Sequence, residues 1–378
     1  LQLAPDGTKL AVGTEEPAIS IADATTGKLL QTIRLPSKPL AVALAADGLR
    51  VAAVCRDGFV RTYDTSDPTV AEPAGWKLRV ARSSQAGIAF SPDGTSVVSS
   101  SITRVTVADA ATGRITHTFD RDWEDGPYQD VAFSPDGRFL ATGSMGPAGG
   151  VVVWELATRG VVKRFTGNTG SAVRVGFLDR GRSLASLAAD ESVTVWDIAG
   201  RTGKPAPNAN ELRTAWDKLD HLDSAIGVAA AWTLVDGGTA SVEMIRERLA
   251  NAGATDARIQ KLIADLDAAD FRTRDAASKE LVGLRERAIA AVTAAAEEHA
   301  SSEVQLQAAE VLAKFNKLGV KVPDHGVYGE SLRMLRSTLV LERIGTPEAV
   351  AVLRDLAKAT GPAAIAAQKS LDRLAAKK

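Results

Sequence analysis

A motif that returns five times within the first 200 residues constrains the fold of this chain more than any other feature. Each copy combines an apolar pair, a small turn and Asp-Gly or a variant of it, and a β-rich run follows. The copies are LQLAPDG ending at Gly7, VALAADG at Gly48, IAFSPDG at Gly94, VAFSPDG at Gly137 and VGFLDRG at Gly181. Successive glycines are 41, 46, 43 and 44 residues apart, a period that predicts stacked repeats that bury their apolar faces against one another.

The fourth copy indicates what each repeat folds into. Residues 131–133 alternate into the turn Ser-Pro-Asp-Gly at 134–137, where Pro presets φ and Gly supplies a positive φ. Residues 139–142 resume the extended pattern, 151–154 form a β-branched run, and 161–165 offer a fourth strand. Four short antiparallel strands in a repeat of this length are typical of a β-propeller blade.

These residues resemble the WD-repeat β-propeller family, whose repeat carries the F-S-P-D-G turn and a third strand that ends in Trp-Asp. Trp196-Asp197 matches that dipeptide, and Trp154-Glu155, Tyr63-Asp64 and Ala108-Asp109 are degenerate versions. The family's Gly-His before each blade is absent, and His117 is the only histidine in residues 1–204. The resemblance therefore implies a propeller without the buried Asp-His-Ser/Thr-Trp network of many members, held together more by apolar packing.

Both ends of this region suggest an incomplete propeller. The chain begins at Leu1, inside a first-strand motif, and the segment after Asp197 runs into glycines and prolines without a fourth strand for the last blade. We therefore expect an N-terminally truncated propeller over residues 1–204, with five visible blades against the family's common seven.

The pattern becomes helical at about residue 205. Ile259, Leu262, Ile263 and Leu266 follow the i, i+3, i+4, i+7 spacing of an amphipathic helix. N-caps are predicted at Asn210, Thr255, Asp270, Ser301 and Thr346, and Gly319 and Gly345 are predicted helix ends. Residues 270–277 and 302–309 resemble the openings of successive HEAT-like helices. The predicted fold class is thus multidomain β + α: a partial WD-repeat β-propeller (1–204), then an all-α HEAT-like helical repeat domain (205–378) of seven to ten helices.

Charge and composition narrow the possible partners. Lys and Arg number 45 and Asp and Glu 46, so the chain lacks the basic excess that phosphate backbones select. Because no apolar run is long enough to cross a bilayer, membrane association is not expected. The single cysteine, Cys55, lies in an apolar run and is expected to be a buried structural thiol. A cytoplasmic location is expected, and the domain order resembles large bacterial WD-repeat proteins, in which the propeller is part of a signalling chain.

The sequence contains no constellation that predicts catalysis. No G-x-S-x-G, H-E-x-x-H, G-x-G-x-x-G or C-x-x-C is present. His221 lies between Asp220 and Asp223, a group better explained by a solvated helix start than by a metal site. The recurring Asp6, Asp47, Asp93 and Asp136 are explained by their turns. We therefore expect no catalytic, cofactor-binding or metal-binding residues.

One rim of the fourth blade is the predicted partner-binding site. In the family's blade plan, the connection into the first strand and the one between the second and third strands emerge on the same face. Here these connections carry Trp123, Tyr128 and Met145, and aromatic and Met side chains are enriched in protein interfaces. The alternative is that the two aromatic residues cover an adjacent blade.

The resulting functional hypothesis is a non-enzymatic scaffold that binds protein partners, needs no cofactor and does not bind nucleic acid. Two alternatives remain open. The chain could be the regulatory or substrate-capturing region of an enzyme whose catalytic domain lies upstream, or the propeller channel could bind a small ligand.

Overall fold

The computed structural model divides the chain into two compact units, Leu1–Ile198 and Ala199–Lys378. It describes residues 1–378 apart from 5, 67–74, 81–85, 121–125, 146–149, 168–169, 285, 319–326, 328, 360 and 377–378, and within helices the side chains of 250–257, 286–287, 290 and 298 are also left undescribed.

The first unit consists of five antiparallel sheets, one for each sequence repeat. Blade 1 contains β1 (Gln2–Leu3), β2 (Lys9–Gly13), β3 (Ala18–Asp23) and β4 (Leu29–Arg34), and blade 2 contains β5 (Pro39–Leu44), β6 (Arg50–Cys55), β7 (Phe59–Asp64) and β8 (Lys77–Arg79). Blade 3 contains β9 (Ile88–Phe90), β10 (Ser96–Ser100), β11 (Arg104–Asp109) and β12 (Ile115–Asp120), and blade 4 contains β13 (Tyr128–Phe133), β14 (Phe139–Ser144), β15 (Val151–Glu155) and β16 (Val161–Phe165). Blade 5 contains β17 (Ala172–Leu178), β18 (Ser183–Ala188) and β19 (Val193–Asp197).

The strand order within each blade follows the chain, as the repeat predicts. Among the described residues no fourth strand pairs with β19, which confirms the expectation for the last blade. The recurring turn aspartates act as predicted: Asp136 Oδ1, for example, accepts a hydrogen bond from the Arg138 N–H at 3.1 Å. Gly137 has φ 71°, a conformation that side chains with a Cβ rarely adopt, and its N–H closes the turn on the Ser134 carbonyl at 2.8 Å.

The Asp-His-Ser/Thr-Trp network was not expected in this chain, yet its bond from Trp to Ser or Thr forms in the last two blades. The indole N–H of Trp154 donates to Thr142 Oγ1 at 3.2 Å, and that of Trp196 donates to Ser186 Oγ at 2.9 Å. Each bond links the third strand to the second. The missing histidine thus removes one end of the network, while the Trp–hydroxyl end forms without it.

Apolar clusters join the first four blades in sequence. One cluster combines Ile19, Ile21 and Ile33 of blade 1 with Val42 and Leu44 of blade 2. Others join blade 2 to blade 3 and blade 3 to blade 4. Cys55 is buried in the first of these clusters, and burial raises the pKa of its thiol, as expected of a structural cysteine.

The second unit is helical. Its helices, in the part of the chain that the structure describes, are α1 (Ala209–Asp217), α2 (Ser224–Asp236), α3 (Gly238–Asp265), α4 (Phe271–Gly283), α5 (Glu286–Glu298), α6 (Ser302–Lys317), α7 (Gly329–Ile344), α8 (Pro347–Ala357) and α9 (Pro362–Ala375). Residues 259–315 contribute one apolar core, which includes the predicted stripe Ile259, Leu262, Ile263 and Leu266.

Three of the five predicted N-caps are confirmed and two are wrong. Asp270, Ser301 and Thr346 each accept a hydrogen bond from a backbone N–H three residues on. Asn210 is the second residue of α1, because Asn208 caps that helix and Glu211 completes a capping box. Thr255 lies inside α3, which continues through it. The predicted end at Gly345 is confirmed by its φ of 66°, and Gly319 lies outside the described residues.

Two arginines on α7 hold the turn between α1 and α2. The buried Arg336 donates from Nη1 to the carbonyls of Leu219 and His221, both at 2.8 Å. Arg333, also buried, pairs with Asp220 and with Glu330. The Cβ of any larger residue at Gly227 on α2 would overlap the guanidinium of Arg336, so α2 and α7 approach closely there.

Within the described residues, no single helix is both long and apolar enough to span a membrane. The pair Ser224–Asp236 and Gly238–Leu249 meets the two criteria together, but it is bent by 116°.

Candidate functional site

The described ends of the two connections predicted to share one rim of blade 4 lie side by side. The Met145 N–H donates to the Pro127 carbonyl at 2.8 Å, and a Cβ at Gly126 would overlap the Met145 carbonyl oxygen. The entry into β13 and the start of the connection after β14 are therefore in direct contact. Met145 has 39% of its surface exposed, and Trp123 lies outside the described residues.

Tyr128 occupies a different environment from the one predicted. Its side chain is 1% exposed and packs in the cluster that joins blades 3 and 4, with Phe119, Val131 and Trp154 among its neighbours. The prediction that Tyr128 is exposed at the rim is therefore wrong. The alternative prediction, that this aromatic ring covers an adjacent blade, is confirmed for Tyr128. Partner binding at this rim stays a prediction. Of the three residues predicted to form it, Met145 is the one that the structure describes as exposed.

A β-bulge explains why the sequence pattern misplaced Tyr128. Tyr128 pairs with Ser144 and Asp130 with Gly143, so Gln129 is an extra residue in β13. Because a bulge shifts the alternation of side chains by one, Tyr128 and Val131 face the same cluster although they are three residues apart. The same irregularity follows Pro39 in β5 and Ala172 in β17. Because the extra residue recurs near the start of the first strand in three blades, aligning the repeats could have predicted the bulge in β13.

The first strands of all five blades line one cavity of about 810 Å³. Most of the residues that line it are of apolar type, such as Val42, Ile88, Val131 and Val175, but polar atoms, including those of the backbone, contribute slightly more than half of the lining surface. Polar side chains are few: Gln2, Ser91, Gln129, Asp130 and Arg174. In β13 the lining of the cavity starts at Gln129, one residue after Tyr128.

Asp130 is the acidic side chain among the described residues that line this cavity, and no sequence motif marks it. Its Oδ2 accepts a hydrogen bond from the Val175 N–H of blade 5 at 2.9 Å. Burial raises the pKa of the Asp130 carboxyl above its ordinary value, and the Val175 N–H and the charge of Arg174 oppose that rise. Because burial disfavours the ionised form of Asp130, a ligand or partner that donates hydrogen bonds to this carboxyl would stabilise it.

The group around His221 is structural, as expected, although Asp220 in it is buried rather than solvated. Its Nδ1 accepts from the Asp223 N–H at 3.0 Å, Asp223 caps α2, and Asp220 pairs with Arg333. Across the described residues, no three His, Cys, Asp or Glu side chains are grouped so that they could hold a metal ion.

Comparisons with known proteins agree with the repeat assignment. The family described as WD domain, G-beta repeat matches residues 113–155. Pre-mRNA-processing factor 19 homolog 2 of Arabidopsis thaliana is 26% identical over 228 residues, which cover 59% of this chain and 42% of that protein. An uncharacterised WD repeat-containing protein of Synechocystis sp. is 31% identical over 150 residues, which cover 39% of this chain and 41% of that protein.

The matched segments thus span 42% and 41% of the lengths of these two relatives. Among solved structures, a chain of Kuenenia stuttgartiensis hydrazine synthase aligns with a TM-score of 0.43 and 20% identity over 49% of this chain and 53% of that chain. With five sheets up to Asp197 and helices from Ala209 onward, the chain is a WD40-repeat protein with N-terminal β-blades followed by a helical C-terminal region.

Proposed function

We propose that this chain is a non-enzymatic scaffold that binds protein partners at the rim around Met145. The observation that carries the proposal is an exposed methionine in a connection whose backbone is held by a hydrogen bond to the Pro127 carbonyl. Anchors that are fixed before binding lose little conformational entropy in a complex. A WD40 repeat domain suggests protein interaction in general, which supports the same conclusion.

The proposal extends to the setting of the protein. We place it in the cytoplasm, as part of a larger bacterial signalling or regulatory chain, without cofactor, nucleic-acid or membrane binding. The similarity to a protein of Synechocystis supports the bacterial assignment. The near-equal numbers of basic and acidic residues, 45 and 46, support the exclusion of nucleic acid.

We also propose that the helical region is HEAT-like. Its helices contact one another in an alternating order: α3 packs on α5, α4 on α6, and α5 on α7. Ser301 Oγ, before α6, donates to Asp267 Oδ1, before α4, at 3.0 Å, and Lys314 Nζ donates to Ser278 Oγ further along both helices at 2.9 Å. α4 and α6 therefore run parallel, as alternate helices do in stacked helical repeats, which present extended binding surfaces.

A peptide selection tests the scaffold proposal. Peptides selected from a displayed library on the immobilised protein should bind the wild type, and Met145→Asp should weaken that binding about tenfold or more, since an anchor loses its apolar contact. Leu306→Asp, at an exposed leucine of α6, is the matched control and should leave binding unchanged. Selected peptides that bind both variants equally would contradict a site at Met145.

The cavity favours a second candidate function, the binding of a small ligand. Its volume of about 810 Å³ lies in the range of ligand sites, and Asp130 would accept the ligand's hydrogen-bond donors. A thermal-shift screen with small amines and amides tests this idea. A hit should raise the melting temperature of the wild type and lose its effect in Asp130→Ala, whereas an effect that persists in that variant would exclude this site.

A further inference from the structure

The charged side chains that line the cavity, in the described part of the chain, occupy the same position in consecutive repeats. Seven residues before the turn glycine, blade 2 has Ala41, blade 3 has Gly87, blade 4 has Asp130 and blade 5 has Arg174. The register agrees, because Ala41, Asp130 and Arg174 each follow the irregularity near the start of their first strand. Blades 2 and 3 therefore leave this position small, whereas blades 4 and 5 place opposite charges there.

Asp130 is enclosed by the blades on both sides of it. A Cβ at Gly87 would lie 2.8 Å from the Asp130 Cα, so blade 3 packs directly against this residue. On the other side, Asp130 Oδ2 accepts the hydrogen bond from the Val175 N–H of blade 5 at 2.9 Å. The surroundings of the carboxyl are thus built by blades 3, 4 and 5, which are consecutive in the chain.

Arg174 lies near this carboxyl without neutralising it. Arg174 is exposed, and its Nη1 donates to the Val173 carbonyl at 2.8 Å. Within the described structure, Arg174 and Asp130 line the same cavity but form no ion pair with each other. Burial raises the pKa of the Asp130 carboxyl and the charge of Arg174 opposes that rise, so the two groups are close enough to interact. The cavity therefore presents a negative and a positive group side by side.

Gln129 supplies a third polar side chain next to Asp130. It lines the cavity and is 8% exposed, yet its side-chain amide bonds to no other residue that the structure describes. Buried polar groups are nearly always hydrogen-bonded, so this amide indicates a polar partner within the cavity. Because a Gln amide both donates and accepts, it can bond to an ammonium and to a carboxylate alike.

We propose that the cavity binds an α-amino acid, with the ligand's ammonium at Asp130 and its carboxylate at Arg174. This inference rests on the second candidate function, the binding of a small ligand. A simple amine would be attracted by Asp130 but repelled by Arg174, and a simple carboxylate would meet the reverse, whereas a molecule with both charges satisfies both groups. Ala89 and Ala132, two residues nearer the turn glycine, line the cavity with small side chains and leave room for the rest of the ligand.

Isothermal titration calorimetry of the full chain with a panel of L-amino acids, simple amines and simple amides tests the ligand class. At least one amino acid should bind, and its N-acetyl and carboxamide derivatives should each bind about tenfold or more weakly, because each lacks one of the two charges. An amine or amide that binds as tightly as every amino acid would overturn the amino-acid proposal and leave ligand binding in the cavity standing. Binding by none of these compounds would overturn both.

Two variants assign each charge of the ligand to its residue. Asp130→Asn, which can still accept from the Val175 N–H, should weaken binding of the amino acid about tenfold or more and leave the N-acetyl derivative nearly unaffected, since that compound has no ammonium. Arg174→Gln should likewise weaken the amino acid but not its carboxamide.

Arg114→Gln, at an exposed arginine between β11 and β12, is the matched control and should bind the amino acid like the wild type. Circular dichroism checks that all three variants are folded. An amino acid that binds the Asp130 and Arg174 variants as tightly as the wild type would overturn the site.

Discussion

Tyr128 and Asp130 are two residues apart on β13, yet they face different neighbours. Tyr128 packs towards blade 3, whereas Asp130 bonds to the backbone of blade 5. The extra residue Gln129 separates them, because a bulge reverses the alternation that an uninterrupted strand would impose. A single inserted residue thus assigns an aromatic ring to the core and a carboxyl to the cavity.

The burial of Tyr128 predicts a large stability cost for its truncation. Tyr128→Ala should lower the free energy of unfolding by about 3 kcal/mol or more, as for other buried aromatic residues, and Tyr128→Phe should cost much less because the ring is kept. Urea denaturation followed by tryptophan fluorescence measures both. Met145→Ala, at an exposed site, should change stability by about 0.5 kcal/mol or less. Equal effects of the two alanine substitutions would contradict the burial.

Asp130 predicts a pH dependence of stability. Since burial raises the pKa of its carboxyl, the folded protein holds the proton more tightly than the unfolded chain does. Between the unfolded pKa, about 4, and the higher folded pKa, stability should fall as pH rises, and the whole loss remains at neutral pH.

Asp130→Asn isolates this effect because its amide oxygen can still accept from the Val175 N–H. The melting temperature of the variant relative to the wild type should increase as pH rises above about 4, and the two should converge in acid. A difference that is constant with pH would show that Asp130 does not cause it.

At the scale of the elements, local signals predicted most of what formed. The turn motifs give the five blades, and Asp270, Ser301 and Thr346 cap the helices predicted to start there. The wrong cap at Asn210 comes from competition between two equally good local signals. Asn208 and Asn210 are both favourable caps, and Asn208 prevails because Glu211 bonds back to its N–H at 2.8 Å.

The candidate site was less predictable because it depends on relations between strands. Neither the bulge at Gln129 nor the bond from Val175 to Asp130 is a feature of one segment. Met145 was placed correctly because its connection and that of Pro127 occupy fixed positions in each blade. The positions of the connections, which the repeat sets, were therefore predictable. The blade that each side chain of β13 contacts was not.

The contact between α7 and the turn before α2 predicts a stability effect at the element scale. Arg336→Ala removes two hydrogen bonds from a charged donor and leaves the carbonyls of Leu219 and His221 without it, so we expect a loss of about 3 kcal/mol or more. Thermal denaturation followed at the helical circular dichroism band measures it. Arg354→Ala, at an exposed arginine of α8, is the control, and an equal effect there would contradict a role for this contact.

At the scale of the whole molecule, each of the two units has an apolar core of its own. The helical unit should therefore fold as an independent chain of residues 199–378. It should show a helical circular dichroism spectrum and a single cooperative thermal transition. A broad, non-cooperative transition would mean that its core needs residues of the first unit.

The exposed third strand of blade 5 has a consequence for synthesis of the chain. Blades consist of consecutive strands, so each can form as it leaves the ribosome, at roughly 5–20 residues per second. Every nascent blade then displays an apolar third strand for a few seconds, until the next blade emerges and covers it. In blades 1 to 4 that state is transient, whereas blade 5 retains it with Val193 and Val195 in solvent. Val193 and Val195 therefore show in the folded blade the kind of apolar surface that translation of each earlier blade must protect from aggregation.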